Sequence, residues 1–273
     1  MKFAFVTCVQ LGLSCIEKIY EIGGKLDLLI TLHDQKSVKK SGRIYLDDFS
    51  QRNNIPLLKI NHINDDEAKI AIKGFLIDYL FIIGWSQVAD SELINIPKYG
   101  TFGIHPTLLP EGRGRAAIPW AIIKGLKQTG VTLFKLDEGI DTGPIVDQLA
   151  ITIDNRETAF SLYEKVNQAH EELISKVYFD MLNNKIVLRK QDHSKATEWP
   201  GRNPSNGEIL PSMTIEEADK LIRATTHPYP GAFFQTKEGK IIIWKAEISN
   251  TEESINEIHL KNGKIKILDF EIV

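Results

Sequence analysis

A histidine stands at the edge of a loop rich in proline and glycine, within the stretch FGIHPTLLPEGRGRAAIPWAIIKG at residues 102–125. His105 follows a short apolar run and precedes Pro106, and Pro110 lies further along the same loop. Because proline fixes the backbone φ angle, the two prolines limit how far the imidazole can move. A histidine held in this way is suited to general acid–base catalysis.

A carboxylate further along the chain is a candidate partner for this histidine. Asp141 lies in the turn of GVTLFKLDEGIDTGPIV. Taken separately, each residue has a structural explanation, because lone histidines are commonly structural and turn aspartates commonly form Asx turns. Together they fit a histidine that is oriented by a carboxylate. The glycines and arginines at 112–115 also suit an anion site at the start of the next helix, although such a run is equally typical of a solvated turn.

Short apolar runs alternate with helical patterns through the first half of the chain. The runs KFAFV, LDLLITL, IPLLKI and DYLFIIGW predict strands that are buried on both faces, with helices between them. This alternation predicts βαβ units and a parallel sheet. Ligands of such sheets bind beyond the carboxyl ends of the strands. We therefore expect residues 84–89, His105 and Asp141 at one rim of the sheet.

The composition changes near residue 190. Residues 191–211 are polar and rich in turn formers, which is typical of a linker. A short helical pattern and several apolar runs with polar turns follow, and they predict a small antiparallel β domain that is OB-like. The predicted fold class is α/β, with a Rossmann-like, mostly parallel sheet in a catalytic domain at 1–190 and a mainly antiparallel β domain at 212–273.

The bulk composition excludes several classes of protein. The 273 residues carry a formal net charge of -3, which disfavours a strongly basic surface for nucleic acid. Cys8 and Cys15 indicate a reducing compartment rather than a disulfide framework, and no His/Cys cluster predicts a metal site. No apolar run approaches the roughly 20 residues that a membrane helix requires. We expect a cytoplasmic protein that binds neither nucleic acid nor membrane and needs no metal.

The loop and the aspartate turn together carry a family resemblance. HPTLLPEGRGRAAIPWAIIKG followed by TGVTLFKLDEGIDTGPIV resembles the folate-dependent formyltransferases, which include methionyl-tRNA, glycinamide ribonucleotide and sugar-amine formyltransferases. The similarity covers most of residues 1–190. It continues into ATEWPGRNPSNGEI and HPYPGAFF, which resemble the sugar-amine branch, including the formyltransferase half of the lipid A aminoarabinose enzyme. The resemblance thus implies a place in lipopolysaccharide biosynthesis.

The resemblance implies a role for each motif position. His105 would be the catalytic histidine, and Asp141 would hold it and favour its charged form. The formyl donor would be 10-formyltetrahydrofolate, with Arg115 beside it. The backbone of two segments would hold the pterin ring of the donor. These segments contain Gln87, Val88, Ala89, Asp137, Glu138, Gly139, Ile140 and Asp141.

One family position departs from the pattern. The family places an asparagine two residues before the histidine, where its amide stabilises the developing oxyanion, and this chain has Gly103 there. Losing one such donor typically costs about 10²–10³ in rate. A backbone N–H, a water or another side chain could replace the amide; the chain could be a slow or inactive relative; or it could be an engineered variant. Because His105 and Asp141 are retained, we favour replacement or reduced activity over a changed reaction.

The C-terminal resemblance predicts that the acceptor is a nucleotide-linked amino sugar. Such a molecule carries two phosphates and an aromatic base, and Lys195, Trp199 and Arg202 are candidate contacts, although an ordinary linker explains them equally well. Trp120 and Trp85 could equally belong to the core. A methionyl-tRNA formyltransferase, a formyltetrahydrofolate hydrolase and a catalytically impaired folate-binding module remain alternatives. A homodimer is a possible assembly.

Overall fold

The computed structural model describes residues 1–37, 42–236, 239–249 and 257–273, which form two compact units. The first unit contains Met1–Arg113, Gly130–Ala150 and Val166–Glu198, and the second contains Gly114–Thr129, Ile151–Lys165 and Trp199–Val273. Residues 114–129 and 151–165, which the sequence-based boundaries place in the first domain, belong to the second unit. The boundaries at 190 and 211 stay predictions.

A seven-stranded sheet runs through the first unit. Its strands are β1 (Phe3–Val6), β2 (Leu28–Leu32), β3 (Leu57–Ile60), β4 (Tyr79–Ile82), β5 (Gly100–His105), β7 (Gln128–Lys135) and β8 (Ile145–Thr152). They lie in the order β3-β2-β1-β4-β5-β7-β8. The first five in this order pair in parallel, and β7 pairs antiparallel to β5. The predicted mostly parallel sheet is therefore confirmed.

In the described chain, six helices lie between consecutive strands of this sheet, and a seventh follows β8. They are α1 (Gln10–Glu21), α2 (Asp34–Ser37), α3 (Asp47–Asn53), α4 (Asp66–Gly74), α5 (Ser91–Ile94), α6 (Ala117–Ile123) and α7 (Ala159–Leu182). In α4, acidic side chains occupy the first turn, while Ala68 and Ile72 lie four residues apart and pack on buried strand residues such as Val6 and Leu80. Within the described ranges, no helix is long and apolar enough to cross a membrane.

The second unit contains an antiparallel sheet and a helix that packs on it. The strands β10 (Ala232–Gln235), β11 (Lys240–Ser249), β12 (Glu257–Leu260) and β13 (Gly263–Ile272) lie in the order β10-β11-β13-β12. Helix α8 (Ile215–Thr225) begins at a capping box formed by Thr214 and Glu217, and its Leu221 and Ile222 belong to one buried cluster with Ile243 and Ile265. This agrees with the predicted antiparallel β region. Two short strands, β6 (Arg113–Gly114) and β9 (Glu198–Trp199), pair separately.

Candidate active site

His105 is the last residue of β5, so the carboxyl edge of the sheet presents it. Side chains alternate between the two faces of a strand, and Gly103 and His105 therefore share one face. The register places Gly103 opposite Phe134 and His105 opposite Thr132 on β7. His105 is only 7% exposed. The histidine is thus fixed by a central strand and not by a flexible loop alone.

Two side chains hold the loop that follows His105. Buried Thr132 donates its hydroxyl to the Thr107 carbonyl at 2.7 Å and accepts the Leu109 N–H at 3.1 Å. Gln148 on β8 donates its Nε2 to the Leu109 carbonyl and to the Thr132 hydroxyl, both at 2.9 Å. These bonds add to the stiffness expected from Pro106 and Pro110, and they satisfy backbone groups that burial would otherwise leave unpaired.

Both ring nitrogens of His105 face acceptors. Nε2 lies 2.8 Å from the Gly112 carbonyl, and a carbonyl can only accept, so Nε2 carries a proton here. Nδ1 lies 3.5 Å from Oδ2 of Asp141, whose side chain is largely buried. The pair predicted from the sequence therefore meets in the structure. Its arrangement suits a ring that exchanges a proton at one nitrogen while a carboxylate orients the other.

Gln191 holds the backbone of Asp141. Asp141 has a φ of +55°, a left-handed conformation that aspartate tolerates better than most residues. Gln191 Nε2 donates to the Asp141 carbonyl at 2.8 Å and to the Gly143 carbonyl at 2.7 Å. Its Oε1 accepts from buried Arg113 at 2.7 Å. Sequence reasoning missed Gln191, because it lies at the start of a polar stretch assigned to a linker and belongs to no recognisable motif.

Part of the predicted anion site at 112–115 makes its contacts within the protein instead. The Gly112 N–H donates to the Thr197 hydroxyl at 2.8 Å, and the Arg113 N–H donates to the Thr197 carbonyl at 2.9 Å. The Arg115 N–H donates to the Trp199 carbonyl at 3.1 Å. These amides are therefore already used. The Arg113 guanidinium is buried and turned to Gln191, so the first arginine of the run supports the protein and does not receive an anion.

A second buried histidine lies in the first unit. His170 on α7 is 1% exposed, and its Nδ1 lies 2.7 Å from the Val166 carbonyl. Burial, and to a smaller extent the charge of His105, lower the pKa of His170 to about 4, while the hydrogen bond to the Val166 carbonyl opposes the shift. His170 is therefore neutral near pH 7. The sequence offered no signal for it beyond its place on a long helical pattern.

The two segments predicted to hold a pterin, residues 87–89 and 137–141, are each held by hydrogen bonds within the protein. We call them the two rims. Gln87 uses its side chain internally, accepting from the Ile63 N–H at 2.9 Å and donating to the Asn61 carbonyl at 3.0 Å. Val88 is 71% exposed and Ile140 is 65% exposed, which is unusual for large apolar side chains. The others are less distinctive: Ala89 is half-buried, and Glu138 and Gly139 are exposed.

The second rim is a turn that one aspartate closes. Asp137 Oδ1 accepts the Thr142 hydroxyl at 2.6 Å and the Gly139 N–H at 3.2 Å, which leaves Ile140 at the tip of the turn.

Two buried polar atoms near the strand ends have no hydrogen-bond partner in the described parts of the chain, namely Nε1 of Trp85 and Oγ1 of Thr107. Buried polar groups of this kind normally have a hydrogen-bond partner, so these two atoms are exceptions among the described residues near the strand ends.

Gly103 lies in a tight place. A Cβ atom built there would lie 3.1 Å from Cδ2 of Leu136, 3.3 Å from the Ile82 carbonyl oxygen and 3.6 Å from Cε1 of Phe134. Its φ is not in the left-handed region, so the backbone itself would accept a side chain. A side chain at this position therefore requires both Leu136 and the Ile82 carbonyl to move by a few tenths of an ångström.

The predicted acceptor contacts are divided between the two units. Trp199 is buried and Arg202 is half-buried, and both belong to the second unit, as does Arg115. Lys195 belongs to the first unit, where its ammonium lies 3.3 Å from Asp192. Trp120, considered a core candidate from the sequence, is partly exposed and donates Nε1 to the Pro200 carbonyl at 2.8 Å.

Solved structures with this fold include several formyltransferases. An N-formyltransferase from Helicobacter canadensis, solved with folinic acid and dTDP-3-aminofucose, matches with a TM-score of 0.75 and 21% identity over 98% of both chains. A 4-N formyltransferase from Francisella tularensis matches with a TM-score of 0.69 and 25% identity, covering 89% of this chain and 96% of that one.

Sequence relatives point the same way. The bifunctional polymyxin resistance protein ArnA of Wigglesworthia glossinidia brevipalpis is 32% identical over 90% of this chain, which spans 37% of ArnA. A methionyl-tRNA formyltransferase of Lachnospira eligens is 26% identical over 97% of this chain and 84% of that protein. The formyl transferase family model matches residues 21–178, and the model of the formyl transferase C-terminal domain matches residues 202–271. The chain therefore belongs to the formyl transferase family.

Proposed function

We propose that this protein transfers a formyl group from 10-formyltetrahydrofolate to the amine of a nucleotide-linked amino sugar. The observation that carries the proposal is the fixed His105 ring, with Gly112 at one nitrogen and Asp141 at the other. The amine nitrogen bonds to the formyl carbon while the bond from that carbon to N10 of the folate breaks. The products are a formamide and tetrahydrofolate.

His105 moves the proton in this reaction. In the reacting complex the neutral ring has its one proton on Nδ1, facing Asp141, and Nε2 receives the amine proton once the amine replaces the Gly112 carbonyl as its partner. Nε2 then donates the same proton to the departing N10 of the folate, so His105 acts first as the general base and then as the general acid. A positioned general base of this kind contributes typically about 10²–10⁴ in rate.

The two rims support the assignment of the donor. Val88 and Ile140 offer apolar surface that a flat pterin ring would cover, and apolar pockets with few polar groups are typical of cofactor sites. The backbone of Gln87–Ala89 and Asp137–Asp141 supplies amide groups for the polar edge of the ring. The folate-bound Helicobacter canadensis enzyme has the same fold. Arg115 as a further donor contact stays a prediction.

The acceptor is inferred from relatives and from the predicted contacts. The Helicobacter canadensis structure carries dTDP-3-aminofucose. Trp199 and Arg202 of the second unit would supply an aromatic ring and a cation for such a molecule, and Lys195 stays a prediction from the sequence. A second candidate acceptor is methionyl-tRNA, favoured by the Lachnospira eligens relative, of which this chain covers 84%. The net charge of -3 speaks against a large RNA substrate.

A panel of acceptors tests the proposal. Purified protein is given 10-formyltetrahydrofolate with dTDP-, UDP- and GDP-linked amino sugars, with methionyl-tRNA, or without any amine, and formate, formamide and tetrahydrofolate are measured. We expect formamide with at least one nucleotide-linked amino sugar and none with the tRNA. Formate release without an amine would indicate a hydrolase, and folate binding without any product would indicate a binding module. Either result contradicts the proposal.

A further inference from the structure

Cations and indole rings gather on one surface of the second unit. Trp120 and Lys124 lie four residues apart, on α6 and at its C-terminal cap, and therefore on the same side. Lys124 Nζ is 5.7 Å from the ring centre of Trp120 and 5.9 Å from that of Trp199. The guanidinium of Arg202 lies 4.9 Å from the ring centre of Trp120. We call Trp120, Lys124, Trp199 and Arg202 the tryptophan–cation cluster.

Hydrogen bonds fix the geometry of this cluster. The Trp120 bond to the Pro200 carbonyl ties the helix to the segment that carries the two other members. Arg202 donates Nη2 to the Asn206 carbonyl at 2.6 Å, and the Asn203 side chain caps the following turn. The positions of the charges are therefore set before any ligand arrives, and preorganisation of this kind lowers the entropic cost of binding.

The cations of the cluster have no carboxylate partner. Among the residues that the structure describes, no aspartate or glutamate lies within ion-pair distance of Lys124 or Arg202, and the same holds for neighbouring Arg115. The Arg115 side chain passes close to Gly201, where a Cβ would lie 3.6 Å from its Cδ. Loss of solvent lowers the pKa of the Arg202 guanidinium, so its charge is partly desolvated and uncompensated. A bound anion would offset that cost.

We infer that the tryptophan–cation cluster binds the nucleoside diphosphate part of the acceptor. Lys124 and Arg202 hold the two phosphates, and the partly exposed Trp120 ring contacts the base. Nothing in the sequence distinguished Trp120 or Lys124 for this task. The inference rests on the proposed function, and it narrows the predicted contacts to a surface that lies within the second unit and does not include Lys195.

A nucleotide suits this surface better than an RNA chain. Phosphate recognition by arginine and lysine together with an aromatic ring is common to both ligands. The two cations of the cluster match the two charges of the diphosphate in a nucleotide-linked sugar, whereas RNA would need a longer basic surface. An RNA is therefore the competing outcome and not the proposal.

Direct binding tests the inference without turnover. dTDP, UDP and GDP are titrated into the protein without folate, and binding is followed by calorimetry and tryptophan fluorescence. We expect at least one to bind, and K124A and R202A each to weaken that binding about 10-fold, as expected for loss of one charge-assisted contact. K127A removes an exposed lysine from the same unit and should leave binding unchanged. R202K retains the charge but loses the planar stack, and it should fall between the parent and R202A.

Kinetics separate this inference from the proposed function. With an accepted sugar nucleotide, K124A should raise KM about 10-fold while kcat stays within about twofold. If K124A and R202A change neither KM nor kcat for formylation, the proposed function stands and the proposed role of the cluster is overturned. Nucleotide binding that both variants weaken, without any formylation, supports the cluster and overturns the function. Failure of all three nucleotides to bind, or a single-stranded RNA that binds more tightly than they do and loses affinity in both variants, overturns the cluster.

Discussion

The histidine site of the first unit and the tryptophan–cation cluster of the second treat polar groups in opposite ways. Around His105, both ring nitrogens, the following loop and the backbone of Asp141 have partners within the protein. In the cluster, the cations rest on indole rings and lack a described carboxylate partner. The first arrangement fixes the orientation of the imidazole ring. The second keeps charge available for an incoming anion.

This contrast indicates two different tasks: the contacts around His105 orient a side chain, whereas the cluster is suited to binding a ligand. A catalytic ring works faster when hydrogen bonds hold both of its nitrogens, because a small error in the orientation of the ring lowers the reaction rate. A binding surface gains from charge that its own protein leaves uncompensated. Substitutions near His105 should therefore change mainly kcat, whereas substitutions in the cluster should change mainly KM. Three predictions test the first half of this statement and a fourth tests the stability contribution of buried His170; they follow in order of decreasing effect.

Replacing His105 has the largest expected effect. H105A should reduce kcat for formyl transfer by about 10³-fold, equivalent to about 4 kcal/mol, because it removes the only proposed proton carrier. Affinity for folate should change little, since the two rims do not depend on the ring. Steady-state kinetics and folate titration measure both quantities. A variant that keeps most of its turnover would show that His105 is a structural residue.

The sequence predicted the sheet edge that carries His105 and Asp141 better than it predicted the residues that hold them. His105 and Asp141 followed from apolar runs that end in turns, because parallel strands bring their carboxyl ends to one edge. Gln191 could not be found, since its role depends on three partners that are distant in the chain. Arg113 was placed in an anion site, because a sequence does not show that a guanidinium is buried. Trp120 was considered only for the core and Lys124 was not considered, for the related reason that Pro200 and Arg202, which Trp120 contacts, lie some 80 residues away in the chain.

Acid should destabilise the first unit through His170. The unfolded histidine takes up a proton below its ordinary pKa of 6.5, whereas the folded one does so only near pH 4. The unfolded state therefore binds more protons in this window, and the free energy of unfolding falls as the pH drops from 6.5 to about 4. A difference of this size is worth about 3 kcal/mol.

Paired variants isolate this contribution. Urea unfolding at pH 7 and at pH 4.5 should show a smaller loss of stability on acidification in H170Q than in the parent protein. H259Q replaces an exposed histidine and should keep the parental pH dependence. Equal losses in H170Q and the parent would mean that carboxylates alone account for the acid response.

Gln191 offers a test of positioning without a change at the catalytic ring. Q191L removes the donor to the Asp141 and Gly143 carbonyls and leaves buried Arg113 without an acceptor. We expect kcat to fall about 30-fold, with KM for the amine nearly constant, and stability to fall by about 1–3 kcal/mol. Q191E keeps the acceptor for Arg113 and should recover stability more than kcat. If both variants lose only stability, Gln191 does not orient Asp141. Q51L, at an exposed position, is the matched control.

The smallest effect concerns the missing amide at Gly103. Gly103 and His105 share one face of β5, so an asparagine would direct its amide to the side on which the histidine acts. We expect G103N to raise kcat about 10-fold, which corresponds to roughly 1.4 kcal/mol of transition-state stabilisation. The tight contact with Leu136 opposes this gain, and L136A should therefore increase the effect of G103N.

A rebuilt oxyanion site predicts the reverse result. Nε1 of Trp85 and Oγ1 of Thr107 are buried near the ends of β4 and β5 without a described partner, and either could already supply the hydrogen bond. In that case W85F or T107V would lower kcat in the parent, and G103N would rescue the loss. If neither variant changes kcat and G103N raises it, the parent lacks an oxyanion donor. A lower kcat in G103N, with folding and folate affinity unchanged, would falsify the missing-donor hypothesis and would show that the site has adapted to glycine.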